Sequence, residues 1–411
     1  MKNNAWKIIE SSLAAVMPGA AVKEALKNVP APAGRLIVVS TGKAGWEMAA
    51  AASDALGSRI DQGIVITKYD HCKGDLPGFE LFEAGHPVPD MNSYRATARA
   101  LELVKRLSED DIVLFLLSGG GSALFEAPLV SPEEMADITR QLLASGADIV
   151  EMNTIRKRLS SVKGGRFALA CAPARVYTIV LSDIIGDPLD MIASGPAYPD
   201  VSTYEQADEI AARYHLSLSD TARQLLLVET PKVLDNVTTF VTGSVRQLCA
   251  SAEKTCRELG YEPIVLTSSL ACEAREAGAF LGSIGRDRSR DGRSIAFIAG
   301  GETVVHLTGH GKGGRNQEIA LAAAREIAGC PNVCVFSFGS DGTDGPTDAA
   351  GGIVTGETAK KLADAGFDIR RVLADNDAYT ALKAADALVM TGPTGTNVND
   401  LSVVLIRGTE A

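Results

Sequence analysis

Several glycine-rich stretches bring cations, hydroxyls and carboxylates to places where backbone amides crowd together, which is the chemistry of gripping an anion. The apolar run Leu36–Ser40 leads into Thr41-Gly42-Lys43-Ala44-Gly45. Gly42 and Gly45 permit close backbone approach, the amides opening a helix face an anion, and Lys43 adds a point charge. No Walker A pattern occurs anywhere in the chain, and a surface lysine in a turn reads equally well at this position. After the apolar run Ile112–Leu117 comes Ser118-Gly119-Gly120-Gly121-Ser122. Each glycine costs roughly 1 kcal/mol relative to alanine. A run of them suits a backbone nest for phosphate or carboxylate, with the serines as extra donors; the alternative is a flexible turn. Asn153 and Arg156 lead to Lys163-Gly164-Gly165, a second nest with a cation built in. Asp183 then follows the apolar run Val176–Ser182, with Asp187 close behind. A strand-terminal carboxylate beside phosphate loops is where Mg²⁺ is commonly held; Asp187 also reads as a simple turn before Pro188.

The second half carries Gly300-Gly301-Glu302 and then Gly309-His310-Gly311-Lys312-Gly313-Gly314-Arg315-Asn316. Gly309, Gly311 and Gly314 match the dinucleotide pattern G-x-G-x-x-G. Its ribose-binding acid belongs about 20 residues further on, and Asp341 lies beyond that. Lys312 and Arg315 would also crowd a pyrophosphate turn. Two cations at a helix start suit a triphosphate or a phosphoryl group in transit. Asp341 and Asp344 stand in a carboxylate-rich loop without the EF-hand pattern, and Thr394 and Asn397 in a last Gly/Asn loop. His86 and His310 belong to no Ser–His–Asp set, so hydrolase chemistry has little support.

The elements that must position these loops read as α/β. Strands are expected at Leu36–Ser40, Gly63–Thr67, Ile112–Leu117, Val176–Ser182, Val237–Val241, Glu262–Leu266, Ile295–Ala299, Val304–Thr308, Val333–Phe338 and Leu401–Ile406. Their continuous apolar character suits largely parallel sheets buried on both faces. Helices are expected between them at Trp46–Leu56, Asn92–Leu107, Val245–Leu259, Ala271–Gly282 and Asn316–Ala328, which makes stacked βαβ units. At 411 residues two domains are expected, divided near residue 230 where Pro231 precedes a fresh series of units. The charged run Arg286–Arg293 reads as a surface loop.

Hydrophobic content of 46% with 22% charged residues is globular, and no apolar run approaches the ~20 residues of a transmembrane helix. The net charge of −11 argues against nucleic-acid or anionic-membrane partners. Yet from Met152 to Ser182 there is no Asp or Glu, while Arg156, Lys157, Arg158, Lys163, Arg166 and Arg175 all fall there. That stretch reads as a local site for a small anion or as a solvated basic helix face. Seven scattered cysteines without a C-x-x-C pair suit reduced thiols and the cytoplasm.

Taken together the loops resemble the glycerate 2-kinase (class II glycerate kinase) family. The matching stretches are TGKAG (41–45), GHPVPD (85–90), SGGGSALFEAP (118–128), MNTIRKRLSSVKGGR (152–166) and LSDIIGDPLDMIASGP (181–196), then GGETVVHLTGHGKGGRNQEIAL (300–321), SDGTDGPTDAAGG (340–352) and GPTGTNVNDL (392–401). The last three resemble the MOFRL region, about 295–405. The resemblance implies two α/β domains, a Rossmann-like one at 1–230 and a MOFRL-containing one at 231–411, with the active site in the cleft between them. It also implies ATP, Mg²⁺ and D-glycerate, with 2-phosphoglycerate as product, and makes Lys43 and Arg315 catalytic. Asp183 or Asp187 would hold Mg²⁺, and a carboxylate would orient the attacking hydroxyl. A homodimer is compatible with the sequence, which does not fix the assembly. An NAD(P)-dependent hydroxypyruvate reductase, resting on Gly309–Gly314, and a non-catalytic sensor of small acids are the rival readings.

Overall fold

The computed structural model describes residues 1–182 and 189–408, so Asp183 and Asp187 lie outside the described residues. Two compact units emerge, one built from residues 18–182 with 189–242, the other from 1–17 with 243–408.

The first unit holds a six-stranded sheet of β1 (Leu36–Thr41), β2 (Gln62–Lys68), β3 (Phe79–Ala84), β4 (Ile112–Leu117), β5 (Arg175–Val180) and β6 (Val237–Val241). Its order is β3-β2-β1-β4-β5-β6 and every pairing is parallel. This is the doubly wound order, in which the chain reverses direction across the sheet between β1 and β4. Those two strands are buried along their whole length. Their side chains pack on one face against Met48, Ala51 and Ala52 of the helix Gly45–Leu56 and Val22 of the helix Pro18–Leu26. Phe115, Phe125 and Phe167 form a mutual ring cluster, with centroids 4.8–5.5 Å apart.

The second unit holds β7 (Glu262–Leu270), β8 (Ile295–Gly301), β9 (Val333–Gly339), β10 (Gly351–Thr355), β11 (Leu388–Val389) and β12 (Asp400–Ile406), in the order β11-β10-β9-β12-β8-β7. Here the expectation of a largely parallel sheet fails. Only β7–β8 is parallel, and the other four pairings are antiparallel. The last strand enters the middle of the sheet, between β8 and β9, and runs against both. Its seven residues are all buried, so its continuous apolar sequence reads the same in either direction. Residues 302–308, expected to include a strand, form none. Val304 makes one isolated bridge to Glu273, and Leu307 is 82% exposed. The charged run at 286–293 is helical at its start, since the helix Ala274–Arg288 continues into it.

The helix Arg315–Glu326 lies in the heart of this unit, every residue from Asn316 to Ala324 being buried. Small side chains make that possible. A methyl on Gly278 of the neighbouring helix would sit 2.2 Å from the Ile319 carbonyl oxygen, so the two helices touch backbone to backbone. The first helix, Lys2–Val16, also belongs to this unit and sets Ile8, Ile9 and Val16 against Val245, Leu248 and Ala252.

Candidate active site

In a doubly wound sheet, ligands collect outside the carboxyl ends of the strands where the strand order reverses. The loops after β1 and β4 stand there. They are tied together: Lys43 N donates to Gly119 O at 2.8 Å, and Ala44 N to Ser118 Oγ at 3.1 Å. Gly42 has φ +115°, and a methyl there would lie 2.2 Å from Ser118 Oγ. Only glycine lets the two loops approach this closely. Against this frame the amides of Gly119 and Gly120 have no acceptor among the described residues. The Lys43 ammonium, partly exposed, has no hydrogen-bond or ion-pair partner among them either. The His86 ring lies over the same loop, since a methyl on Gly120 would be 3.1 Å from its Nε2 and 3.2 Å from Lys43 Cγ. Burial, then Lys43, Lys68 and His71, hold the His86 imidazole below its ordinary range. Unpaired amides, ammonium and imidazole around one point suit an anionic ligand carrying a hydroxyl.

The basic stretch that follows is neither an open anion site nor a solvated helix face. Lys157 and Arg158 are buried and paired with Asp200, at 3.1 and 3.8 Å. Lys163 is fully buried, its Nζ donating to the carbonyls of Ser122 (2.9 Å), Phe125 (3.2 Å) and Ala193 (3.4 Å) and lying 3.4 Å from Glu126. Burial brings its ammonium down to about 8. The amides of Gly164 and Gly165 donate to Ser194 O and Gly195 O, so this nest is filled by the protein itself. Arg156 donates to Ser122 O at 3.2 Å and lies 3.9 Å from Glu126. Asn153 accepts from Ser194 Oγ at 2.9 Å, and Ser194 and Ala193 both have positive φ. Lys163, Arg156 and Asn153 thus fasten the Ser118–Ser122 loop and the left-handed turn at 193–195 in place.

In the second unit Arg315 is the centre. Its Nε and Nη2 form a fork on Asp400, 2.5 and 2.9 Å, and its Nη1 reaches Glu302 at 3.2 Å. Glu302 in turn accepts from Asn399 Nδ2 at 3.0 Å. The buried Asp344 carboxylate takes the first helical amides, Asn316 N at 3.2 Å and Gln317 N at 2.9 Å; burial pushes it up to about 7. The helix start is therefore capped by protein rather than left open. The same holds for the glycine loop, whose amides at Gly309, His310, Gly311 and Lys312 donate to Asn376, Asp375 and Asp377. Gly309 and Gly311 are required because a methyl on either would fall 2.3 Å from that segment. With no strand leading into it and its amides from Gly309 to Lys312 occupied, the G-x-G-x-x-G match lacks the dinucleotide-binding context. A cleft of about 820 Å³ remains, lined by Glu302, Val304, Leu307, Gly313, Gly314 and Arg315 among others. Lys312 lies outside that group, its ammonium 4.5 Å over the Tyr379 ring. Asp341 and Thr394 are joined to each other, Thr394 N donating to Asp341 O at 3.2 Å, while Asn397 accepts from Asn399 N.

Sequence reasoning noted His86 without giving it a role and missed Asp400, Glu126 and Ser194. Asp400 carried one signal, a carboxylate opening a largely apolar run.

Comparison with known proteins finds two family matches along the chain. Residues 4–227 match a family described as a domain of unknown function, DUF4147, and residues 295–400 match the MOFRL family. The chain is 52% identical to a D-glycerate 2-kinase of Thermotoga maritima, covering 99% of this chain and 98% of that one. It is 34% identical to a glycerate kinase of Homo sapiens, over 99% and 93%. The crystal structure of the Thermotoga maritima glycerate kinase superposes with a TM-score of 0.94, over 98% of this chain and 99% of that one.

Proposed function

The chain belongs to the glycerate 2-kinase family, and we propose that Lys43 and Arg315 hold the phosphoryl group as it passes from ATP to the 2-hydroxyl of D-glycerate. The activity itself is that of a D-glycerate 2-kinase, a phosphotransferase, and a kinase draws its phosphoryl group from ATP. Phosphoryl transfer asks the protein mainly for positioning and charge neutralisation. One observation carries the assignment: an ammonium without a partner beside two unoccupied amides, at the point where the first sheet reverses. Lys43 meets phosphoryl or carboxylate oxygens there, with Gly119, Gly120, Gly121, Ser118 and Ser122 supplying the nest. Arg315 brings a guanidinium held by Asp400 through Nε and Nη2 and by Glu302 through Nη1, with its remaining N–H groups for the phosphoryl oxygens. Mg²⁺ supplies charge neutralisation on the triphosphate, and Asp183 and Asp187 are the carboxylates proposed to meet it. Asn153, Arg156, Lys163, Asn316 and Asp344 act as positioning residues.

Seven free thiols, Cys249, Cys256 and Cys334 among those buried in the second unit, suit the reducing cytoplasm. No described helix is long and apolar enough to cross a membrane. The test is coupled ADP release with D-glycerate, run beside NADH oxidation with hydroxypyruvate. ADP release that depends on glycerate and Mg²⁺ is expected; turnover in excess chelator removes the metal from the scheme.

A further inference from the structure

We infer that His86 is a further catalytic residue, the base that takes the proton of the attacking 2-hydroxyl of glycerate. The inference rests on the proposal that glycerate meets ATP at the loops after β1 and β4. His86 is half-buried, and its ring makes no hydrogen bond among the described residues. It faces Gly120, whose amide has no acceptor among the described residues, and its neighbour across that glycine is Lys43. An imidazole left unpaired inside a built site is available to a ligand.

The groups around it favour the neutral, proton-accepting form. Lys43 from the loop after β1, Lys68 at the end of β2 and His71 beyond it all disfavour imidazolium. His71 has its Nδ1 on Lys43 O at 3.0 Å. Among the described residues, the carboxylates nearby are engaged elsewhere. Asp90 accepts from Tyr69 Oη (2.7 Å) and Ser93 N (3.0 Å), and Glu83 from the amides of His71 and Cys72. The loop Ser118–Ser122 brings no titratable side chain. Among the described residues His86 is the imidazole that faces Gly120 with no hydrogen bond of its own, and an imidazole is the side chain suited to accepting a proton near neutrality.

The step balances. As the O–H bond breaks, the proton passes to Nε2, giving imidazolium. The oxygen's electron pair forms the bond to the γ-phosphorus, the bond from that phosphorus to the β–γ bridging oxygen breaks, and ADP leaves with its electrons. Imidazolium then returns its proton to water. Lys43, across Gly120, faces the phosphoryl oxygens.

The test is kcat and kcat/KM for D-glycerate as a function of pH, for the parent, His86→Gln and His86→Asn, with Lys43→Met alongside. A positioned base contributes about 10²–10⁴-fold, so His86→Gln is expected to lose about a hundredfold in kcat while the glycerate KM moves less than about threefold. The parent kcat/KM should fall with acid below about pH 6.5, the ordinary histidine value, and that limb should vanish in the variant. His86→Asn serves if His86→Gln does not fold. A variant within about threefold of the parent in kcat, a change confined to KM, or an acid limb that persists in the variant each overturns the assignment. If Lys43→Met is silent as well, the placement of the site fails and not His86 alone.

Discussion

At the scale of single residues, the two cations of the proposed site are held in opposite ways, and their variants should differ accordingly. Lys43 has no partner among the described residues. Methionine in its place keeps the length and opens no cavity. Lys43→Met should therefore fold normally while losing about 10²–10³ in kcat, roughly 3–4 kcal/mol of barrier. Turnover above about a tenth of the parent would mark Lys43 as a surface residue of its turn. Arg315 is locked instead, two of its nitrogens on Asp400 and a third on Glu302. Lysine cannot span both carboxylates with a planar fork, so charge alone should not rescue it. Arg315→Lys is expected to be nearly as impaired as Arg315→Ala when turnover and both Michaelis constants are measured. Parent-like turnover in both would take Arg315 out of the mechanism.

At the scale of elements, the question is what keeps flexible glycine loops in one shape. Lys163 is the fastener in the first unit, joining Ser122, Phe125 and Ala193 through their carbonyls with Glu126 alongside. Removing one partner of a buried pair leaves the other charge uncompensated, which costs about 3–5 kcal/mol. Lys163→Met should lose that much in denaturant unfolding, and Lys163→Met with Glu126→Gln should regain a large part; equal losses would show that the pair is not coupled. The same elements show what a sequence discloses. Apolar runs buried on both faces, such as β1, β4 and β12, were legible because burial alone selects their residues. The edge strand β3 was not, because Glu80 and Glu83 interrupt it and it is only half-buried. Nor was β10, which opens on Gly351 and Gly352; a methyl on Gly351 would lie 2.0 Å from Ser337 O. At 302–308 apolar residue types suggested burial that Val304 and Leu307 do not have. The three glycine-rich runs looked alike, yet the amides of Gly119 and Gly120 have no acceptor among the described residues, whereas those of residues 164–165 and 309–312 do. The latter are filled by Ser194, Gly195 and Asp375–Asp377, contacts between distant segments that no local spacing encodes.

At the scale of the whole molecule, the chain begins in one unit, builds the other, and returns. Residues 2–16 leave their sequence neighbours and pack on the second unit, since their apolar stripe of Ala5, Ile8, Ile9 and Val16 matches the stripe Val245, Leu248, Cys249 and Ala252. The first helix is therefore part of the second core, and each core should answer to its own substitutions. The two tryptophans allow a direct reading, because Trp6 lies on that first helix and Trp46 on the helix following β1. Ile8 is fully buried, and truncating it to alanine should cost about 2–5 kcal/mol through lost transfer energy and a residual cavity. In a Trp46→Phe background the remaining fluorescence reports the second unit, and in a Trp6→Phe background the first. Ile8→Ala should move the urea midpoint seen through Trp6 well below its parent value while moving the midpoint seen through Trp46 much less. Equal shifts through both reporters would mean that the two cores unfold as one cooperative body, and the first helix would then stabilise the loops after β1 and β4 as much as the sheet it covers.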